Sequence, residues 1–167
     1  MNLNIVPSLF TTATLIFGVM SLIYTMSEQY FLSGITILLS VIMDVLDGKI
    51  ARKLGASSNF GKELDSLADV VSFGVAPAIL VYAQVLGSYN WLGLIVIIWF
   101  VVAGALRLAR FNIQTFSGSF QGVPITAAGG LMALLNLIPD QIHSMVFLIL
   151  TAALGFLMVS KIKVPKF

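Results

Sequence analysis

The sequence predicts an all-α protein that is embedded in a membrane. Of its residues, 59% are hydrophobic and only 10% are charged, and the mean hydropathy is +1.03. A soluble domain of 167 residues does not need so much apolar surface. The apolar runs are about as long as a helix must be to cross a hydrocarbon layer of about 30 Å at about 1.5 Å per residue. We therefore expect six transmembrane helices in a single domain over residues 1–167.

Three of these spans lie in the first half of the chain. The first should run from Ser8 to Met26, with Pro7 at its start, where proline is tolerated. The polar letters SEQY separate it from a second span, Phe31 to Leu54. A third span, Lys62 to Leu86, contains Pro77, which should kink it.

The other three spans fill the second half. The fourth should run from Trp91, an aromatic residue expected at a membrane interface, to the letters RLARFN that end at Asn112. The fifth, Pro124 to Leu137, is short and rich in alanine and glycine, which permits close helix packing. The sixth should run from Ile142 to Ser160.

Positive charge falls on one side of this six-span arrangement. Helix ends or loops on that side carry all nine basic residues: Lys49, Arg52, Lys53, Lys62, Arg107, Arg110, Lys161, Lys163 and Lys166. The opposite side carries Glu28, Asp140 and His143. Because lysine and arginine are enriched in cytoplasmic loops, the pattern predicts a multi-pass cell-membrane protein with both termini in the cytoplasm.

Four aspartates stand in otherwise apolar stretches at the cytoplasmic ends of the second and third spans. Asp44 and Asp47 are three residues apart, and Asp65 and Asp69 are four apart, so each pair should share one helix face. Placing a carboxylate in a membrane span costs free energy, so an aspartate found there is functional by default. Four together repel one another, so they should take up protons or gather cations. All-oxygen ligands favour Mg²⁺, Mn²⁺ or Ca²⁺.

Between the two pairs lie residues suited to a phosphate group. Gly48 leaves the aspartate face without a side chain, so that a ligand can approach the backbone closely. Arg52, one helical turn later, offers a planar fork that matches a diphosphate.

These residues resemble the signature of the CDP-alcohol phosphotransferase family, D-x2-D-G-x2-A-R-x8-G-x3-D-x3-D. The matching positions are Asp44, Asp47, Gly48, Ala51, Arg52, Gly61, Asp65 and Asp69. The letters SFGVAPA from Ser72, GALRLARFN from Gly104, GVPITAAGG from Gly122 and the terminal MVSKIKVPKF are similar to the integral-membrane phosphatidylserine synthases within that family. The resemblance covers nearly the whole chain.

The resemblance implies transfer of a phosphatidyl group from CDP-diacylglycerol to L-serine with release of CMP. It implies two divalent cations, Mg²⁺ or Mn²⁺, with Ca²⁺ able to occupy the site without supporting turnover. Asp44 and Asp65 would each contact both ions, and Asp47 and Asp69 would each complete one ion's ligands. Asp69 would also be the catalytic base.

The resemblance also implies the donor contacts and the partners. The residues expected to hold CDP-diacylglycerol are Gly48, Ala51, Arg52, Ser58 and Gly61. The expected partners are CDP-diacylglycerol, L-serine, membrane lipids and a second copy of the chain, with no nucleic acid.

Three alternatives stay open at this point. Arg107 and Arg110, which should share a helix face, could hold anionic substrate groups or contact lipid headgroups. The acceptor could be glycerol 3-phosphate or inositol phosphate in place of serine. A different class, a divalent-cation transporter, would also use an acidic ring, but the aspartates lie near one membrane face beside Gly48 and Arg52, which favours an enzyme.

Overall fold

Seven α-helices make up most of the computed structural model, which describes residues 5–54, 58–113, 120–160 and 163–164. The helices are α1 (Ile5–Met26), α2 (Tyr30–Leu54), α3 (Asn59–Asp69), α4 (Ala76–Gln84), α5 (Asn90–Ile113), α6 (Ile125–Leu135) and α7 (Ser144–Val159). A π-helical turn, Val70–Val75, joins α3 to α4, and 3-10 turns occupy Leu86–Tyr89 and Pro139–Gln141. Two residues of β1 (Phe120–Gln121) pair antiparallel with β2 (Lys163–Val164).

The predicted all-α membrane class is confirmed. Within the described residues, four helical stretches are long and apolar enough to cross a membrane: Leu9–Met26, Tyr30–Lys53, Asn59–Gln84 and Leu86–Ile113. The remaining apolar helices, α6 and α7, are shorter. The count of six spans therefore stays a prediction. Large apolar side chains such as Ile23, Trp91 and Ile113 are exposed, as is expected of a surface against lipid tails.

The third helical stretch is continuous from α3 through the π-helical turn into α4. The kink expected at Pro77 stays a prediction; the structure shows that the π-helical turn ends at Val75, two residues before this proline. The N–H of Ala76 donates to the carbonyl of Val71, five residues earlier, as in a π-helix. Proline has no N–H and crowds the carbonyl four residues before it, which favours such a local rearrangement.

Two glycines allow other helices to reach the backbone of this π-helical turn. A Cβ atom added to Gly18 of α1 would lie 2.9 Å from Cα of Ser72, and one added to Gly129 of α6 would lie 2.8 Å from Cα of Phe73. Any side chain at either position would push the backbones apart. The π-helical turn, which directly follows Asp69, is thus fixed between α1 and α6.

The apolar core is built around the π-helical turn. Large side chains with no exposed surface fill it, among them Phe73, Phe100, Phe147 and Met132. These residues come from the π-helical turn, α5, α7 and α6, so the core joins the second half of the chain to the third helical stretch.

Candidate active site

Three of the four aspartates meet between α2 and α3. One carboxylate oxygen from each of Asp44, Asp65 and Asp69 lies within 4.8 Å of the other two. Asp44 and Asp65 are partly exposed, whereas Asp69 lies deeper and is buried. Helix α1 contacts both α2 and α3, and Asp44 of α2 converges with Asp65 and Asp69 of α3.

Asp47 is held differently from the other three. It is buried, and its Oδ2 accepts a hydrogen bond from the Thr11 hydroxyl of α1. Its charge still repels those of Asp65 and Asp69. The four carboxylates therefore act electrostatically as one cluster, with Asp47 beside the convergent three.

The cluster fits a divalent cation. Oδ1 of Asp47 and Oδ1 of Asp69 are buried and have no hydrogen-bond partner among the described residues. Buried polar atoms normally have a partner, and adjacent buried negative charges require a positive one. Oxygen ligands of this kind suit Mg²⁺ or Mn²⁺ rather than a metal that prefers sulfur or nitrogen.

A hydroxyl from a third helix reaches this cluster. Oγ1 of Thr126, in the first turn of α6, donates to Oδ2 of Asp44 over 3.2 Å. Sequence reasoning did not assign a role to Thr126, although it is a polar residue at the start of a helix otherwise built of apolar and small residues. A polar residue in this otherwise apolar helix is the sequence signal that could have identified Thr126.

Two serine hydroxyls lie about one helical turn along the chain from Asp44 and Asp69. Ser40, four residues before Asp44, and Ser72, three residues after Asp69, both donate to the carbonyl of Thr14, each over 2.9 Å. Both serines are fully buried. One carbonyl of α1 thus ties α2 to the π-helical turn and holds Asp44 at a fixed distance from Asp69. Sequence reasoning missed this contact because no motif marks it.

Two of the expected donor-binding residues lie on the outer surface of α2. A Cβ atom added to Gly48 would meet no protein atom within 4 Å among the described residues. The exposed Arg52 folds back along α2, and its Nε donates to the carbonyl of Gly48 over 2.9 Å. The space beside Gly48 is therefore open, with a guanidinium next to it. Ala51 is half-buried on the same helix.

Ser58 and Gly61, which were expected to contact the donor, form the start of α3. Ser58 is the N-cap, and its Oγ accepts from the N–H of Gly61 over 3.0 Å. This bond satisfies one of the free donors at a helix start. The structure therefore gives Ser58 a capping role that the sequence hypothesis did not include.

The two arginines of α5 have different surroundings. Arg107 is half-buried, its Nε has no hydrogen-bond partner within the described ranges, and its charge attracts that of Asp69. Arg110 is exposed, and its Nη1 donates to the carbonyl of Val159 in α7 over 3.2 Å. Arg107 therefore interacts electrostatically with the aspartate cluster, whereas Arg110 links the ends of α5 and α7.

Residues 4–159 match the model of the CDP-alcohol phosphatidyltransferase family. The chain belongs to this family. A CDP-diacylglycerol–serine O-phosphatidyltransferase of Helicobacter pylori (strain ATCC 700392 / 26695) is 41% identical, over 99% of this chain and 73% of the relative. The enzyme of the same name from Bacillus subtilis (strain 168) is 36% identical, over 99% of this chain and 92% of the relative. An archaetidylserine synthase of Methanothermobacter thermautotrophicus is 40% identical, over 73% of this chain and 53% of the relative.

CDP-alcohol phosphatidyltransferases generally depend on divalent metal ions, and this member has an acidic cluster suited to one. The eight signature positions identified in the sequence lie within the matched residues. Seven of them are the four aspartates and the neighbouring residues Gly48, Ala51 and Arg52 of α2, and the eighth, Gly61, lies in the first turn of α3.

Gly48 offers a test of whether substrate enters this CDP-alcohol phosphatidyltransferase beside α2. We expect Gly48→Ala to preserve or raise the melting temperature, because alanine favours a helix over glycine by about 1 kcal/mol and the added methyl meets no described protein atom. We expect kcat/KM for CDP-diacylglycerol to fall on the order of 10- to 10²-fold, because the methyl displaces the donor.

The measurement pairs thermal unfolding with donor kinetics on one preparation. Val45→Ala is the matched control, since Val45 lies on the same helix and is exposed. It should leave donor kinetics unchanged. Unaltered kinetics in Gly48→Ala would show that the donor does not use this space.

Proposed function

We propose that this chain transfers the phosphatidyl group of CDP-diacylglycerol to the hydroxyl of L-serine, giving phosphatidylserine and CMP. The observation that carries the proposal is the convergence of Asp44, Asp65 and Asp69 beside the open surface at Gly48. Similarity to enzymes named for this reaction, over nearly the full chain, supports serine as the acceptor.

The aspartates would hold two divalent cations, Mg²⁺ or Mn²⁺. Asp44 and Asp65 would contact both ions, Asp47 would complete the ligands of one ion, and Asp69 those of the other. When bound, the ions would neutralise the diphosphate and the charge that develops on the departing CMP. Ca²⁺ would fill the same oxygen site without supporting turnover.

Asp69 would act as the base. Its carboxylate would take the proton from the serine hydroxyl as that oxygen forms a bond to the β-phosphorus of the donor. The bond from this phosphorus to the oxygen shared with the α-phosphate breaks, and CMP leaves with the electron pair. Because the acceptor supplies the nucleophile, no covalent intermediate on the protein is needed.

The cytidine diphosphate would lie along α2 and the start of α3. The contacting residues would be Gly48, Ala51, Arg52, Ser58 and Gly61. The Nε of Arg52 is already bonded to the carbonyl of Gly48, so its two terminal amino groups would be available to a diphosphate placed there. The acyl chains of the donor would stay in the bilayer, against the exposed apolar side chains of the spans.

Arg107 would bind the carboxylate of serine. It is the α5 arginine whose charge acts on Asp69, the proposed base, so an acceptor held by Arg107 would place its hydroxyl near that base. Arg110 would stabilise the ends of α5 and α7 and contact lipid headgroups.

A matched pair of substitutions tests this division of roles. We expect Arg107→Gln to raise KM for L-serine on the order of 10- to 10²-fold, the worth of a hydrogen bond between charged groups. KM for CDP-diacylglycerol should change little. Arg110→Gln should leave both values within about threefold, because the Arg110 guanidinium bonds a backbone carbonyl away from the aspartates. Equal effects of the two substitutions on serine would contradict the assignment.

The protein would lie in the cell membrane with its active site and both termini facing the cytoplasm. The support is the one-sided distribution of lysine and arginine. Reporter tags placed after Phe167 and beside Asp140 should be accessible from opposite sides of the membrane. Labelling of both tags from one side would contradict the six-span arrangement.

The single domain over residues 1–167 and the homodimer also stay predictions.

The direct test of function is an assay of the purified protein with CDP-diacylglycerol and Mn²⁺ or Mg²⁺. Separate reactions would contain L-serine, glycerol 3-phosphate or inositol phosphate, with products resolved by mass. Phosphatidylserine and CMP are expected in equal amounts from serine alone. A lipid product from another acceptor, with none from serine, would keep the reaction class and overturn the acceptor.

A further inference from the structure

We infer that Thr126 is a positioning residue of the metal site, whose hydroxyl fixes the orientation of the Asp44 carboxylate. This inference rests on the proposed role of Asp44 as a metal ligand. The observation that carries it is the hydrogen bond from Oγ1 of Thr126 to Oδ2 of Asp44, between residues 82 positions apart in the chain.

The direction of this hydroxyl differs from that of four other threonines in the described helices and matches that of Thr11, which donates to Asp47. Helical threonines commonly donate to the carbonyl four residues earlier in their own helix. Four of them do so here: Thr14, Thr25, Thr36 and Thr151. Thr126 stands in the first turn of α6, and the residue four positions earlier, Gly122, precedes the helix. Its hydroxyl is therefore available to a neighbouring helix, and it bonds Asp44 of α2.

The backbone that carries Thr126 is firmly placed. The adjacent Ile125 is buried and packs against Gly104 of α5 and Gly74 of the π-helical turn, neither of which has a side chain. One turn later, Gly129 lies against the backbone of Phe73. Because α6 cannot shift without moving the π-helical turn, the Thr126 hydroxyl occupies a fixed point relative to α2 and α3.

A fixed donor orients a ligating carboxylate. The hydrogen bond occupies one lone-pair direction of Oδ2, restricts rotation of the Asp44 carboxylate and leaves its remaining lone pairs free for a cation. Partners of this kind, one step removed from the metal, typically contribute about 10- to 100-fold to metal affinity. Thr126 would thus act through Asp44 and would not touch substrate.

The test compares Thr126→Val with Thr126→Ser by measuring Mn²⁺ binding to the purified protein without substrate, using electron paramagnetic resonance. Valine keeps the shape of threonine but removes the hydroxyl, whereas serine keeps the hydroxyl. We expect Thr126→Val to weaken Mn²⁺ binding about 10- to 100-fold, and Thr126→Ser to stay within about threefold of wild type. The Mn²⁺ concentration for half-maximal activity should rise in parallel in Thr126→Val.

Thr36→Val is the matched control, because the buried Thr36 hydroxyl on α2 bonds only carbonyls of its own helix in the part of the chain that the structure describes. It should bind Mn²⁺ as wild type does. Wild-type affinity in Thr126→Val, or equal losses in the valine and serine variants, would overturn the inference while leaving the proposed function intact. A wild-type protein that binds no Mn²⁺ would overturn both.

Discussion

Asp44→Asn and Asp65→Asn are each expected to lower phosphatidyl transfer by about 10³-fold or more, because each removes several kcal/mol of metal-mediated charge stabilisation. The carboxylates of these residues converge with that of Asp69, and one carboxylate oxygen of each lies within 4.8 Å of the other two. An asparagine removes a negative charge and leaves one neutral oxygen in place of two charged ones. Since both residues are proposed to contact both ions, neither loss should be compensated by the other.

The measurement is initial rate with saturating Mn²⁺, with chelator in a parallel reaction, together with Mn²⁺ binding to the same preparations. Asp140→Asn is the matched control, since Asp140 is exposed and lies in a 3-10 turn between α6 and α7. It should retain full activity. Full turnover by either active-site variant in the presence of chelator would contradict the metal assignment.

Asp69→Asn is expected to separate chemistry from binding. Asparagine keeps an oxygen that can contact a metal ion but cannot take the serine proton, whereas the other three aspartates can continue to hold the ions that would bind the donor. We therefore expect turnover to fall on the order of 10²- to 10⁴-fold, the usual worth of a positioned base. Donor affinity should stay within several-fold of wild type.

Donor affinity and single-turnover rate should be measured on one preparation of the variant, because steady-state constants alone mix binding with chemistry. Glu63→Gln is the control, since Glu63 is exposed on the same helix. If donor affinity falls as far as the rate does, Asp69 is chiefly a metal ligand, and the proton must leave by another route.

The different expectations for Asp44 and Asp65 on one side and Asp69 on the other follow from their different exposure. Asp44 and Asp65 are partly exposed, so a diphosphate could approach them. Asp69 is buried, with one oxygen that has no hydrogen-bond partner among the described residues. The depth of Asp69, beside Arg107, suits a residue that meets the acceptor after the donor is bound.

Features that depend on local geometry could be predicted from the sequence. Apolar runs long enough to span a bilayer predicted the long helices, because hydropathy and helix length are properties of a single segment. The spacing of Asp44 to Asp47 and of Asp65 to Asp69 predicted which residues share a face, since helical periodicity needs no tertiary contact. Helix ends were less well predicted: α3 begins at Asn59 because Ser58 caps it, earlier than expected.

Features that depend on packing were decided only by the tertiary structure. Thr126 meets Asp44, and Ser40 and Ser72 meet at the carbonyl of Thr14, across chain separations that no local pattern encodes. The sequence placed the two α5 arginines on one face, but the neighbouring helices set Arg107 beside Asp69 and directed Arg110 to α7. The physical reason is that helix formation depends on residues within a few positions of one another. The partner of a hydroxyl or guanidinium, in contrast, depends on which distant helix packs against it.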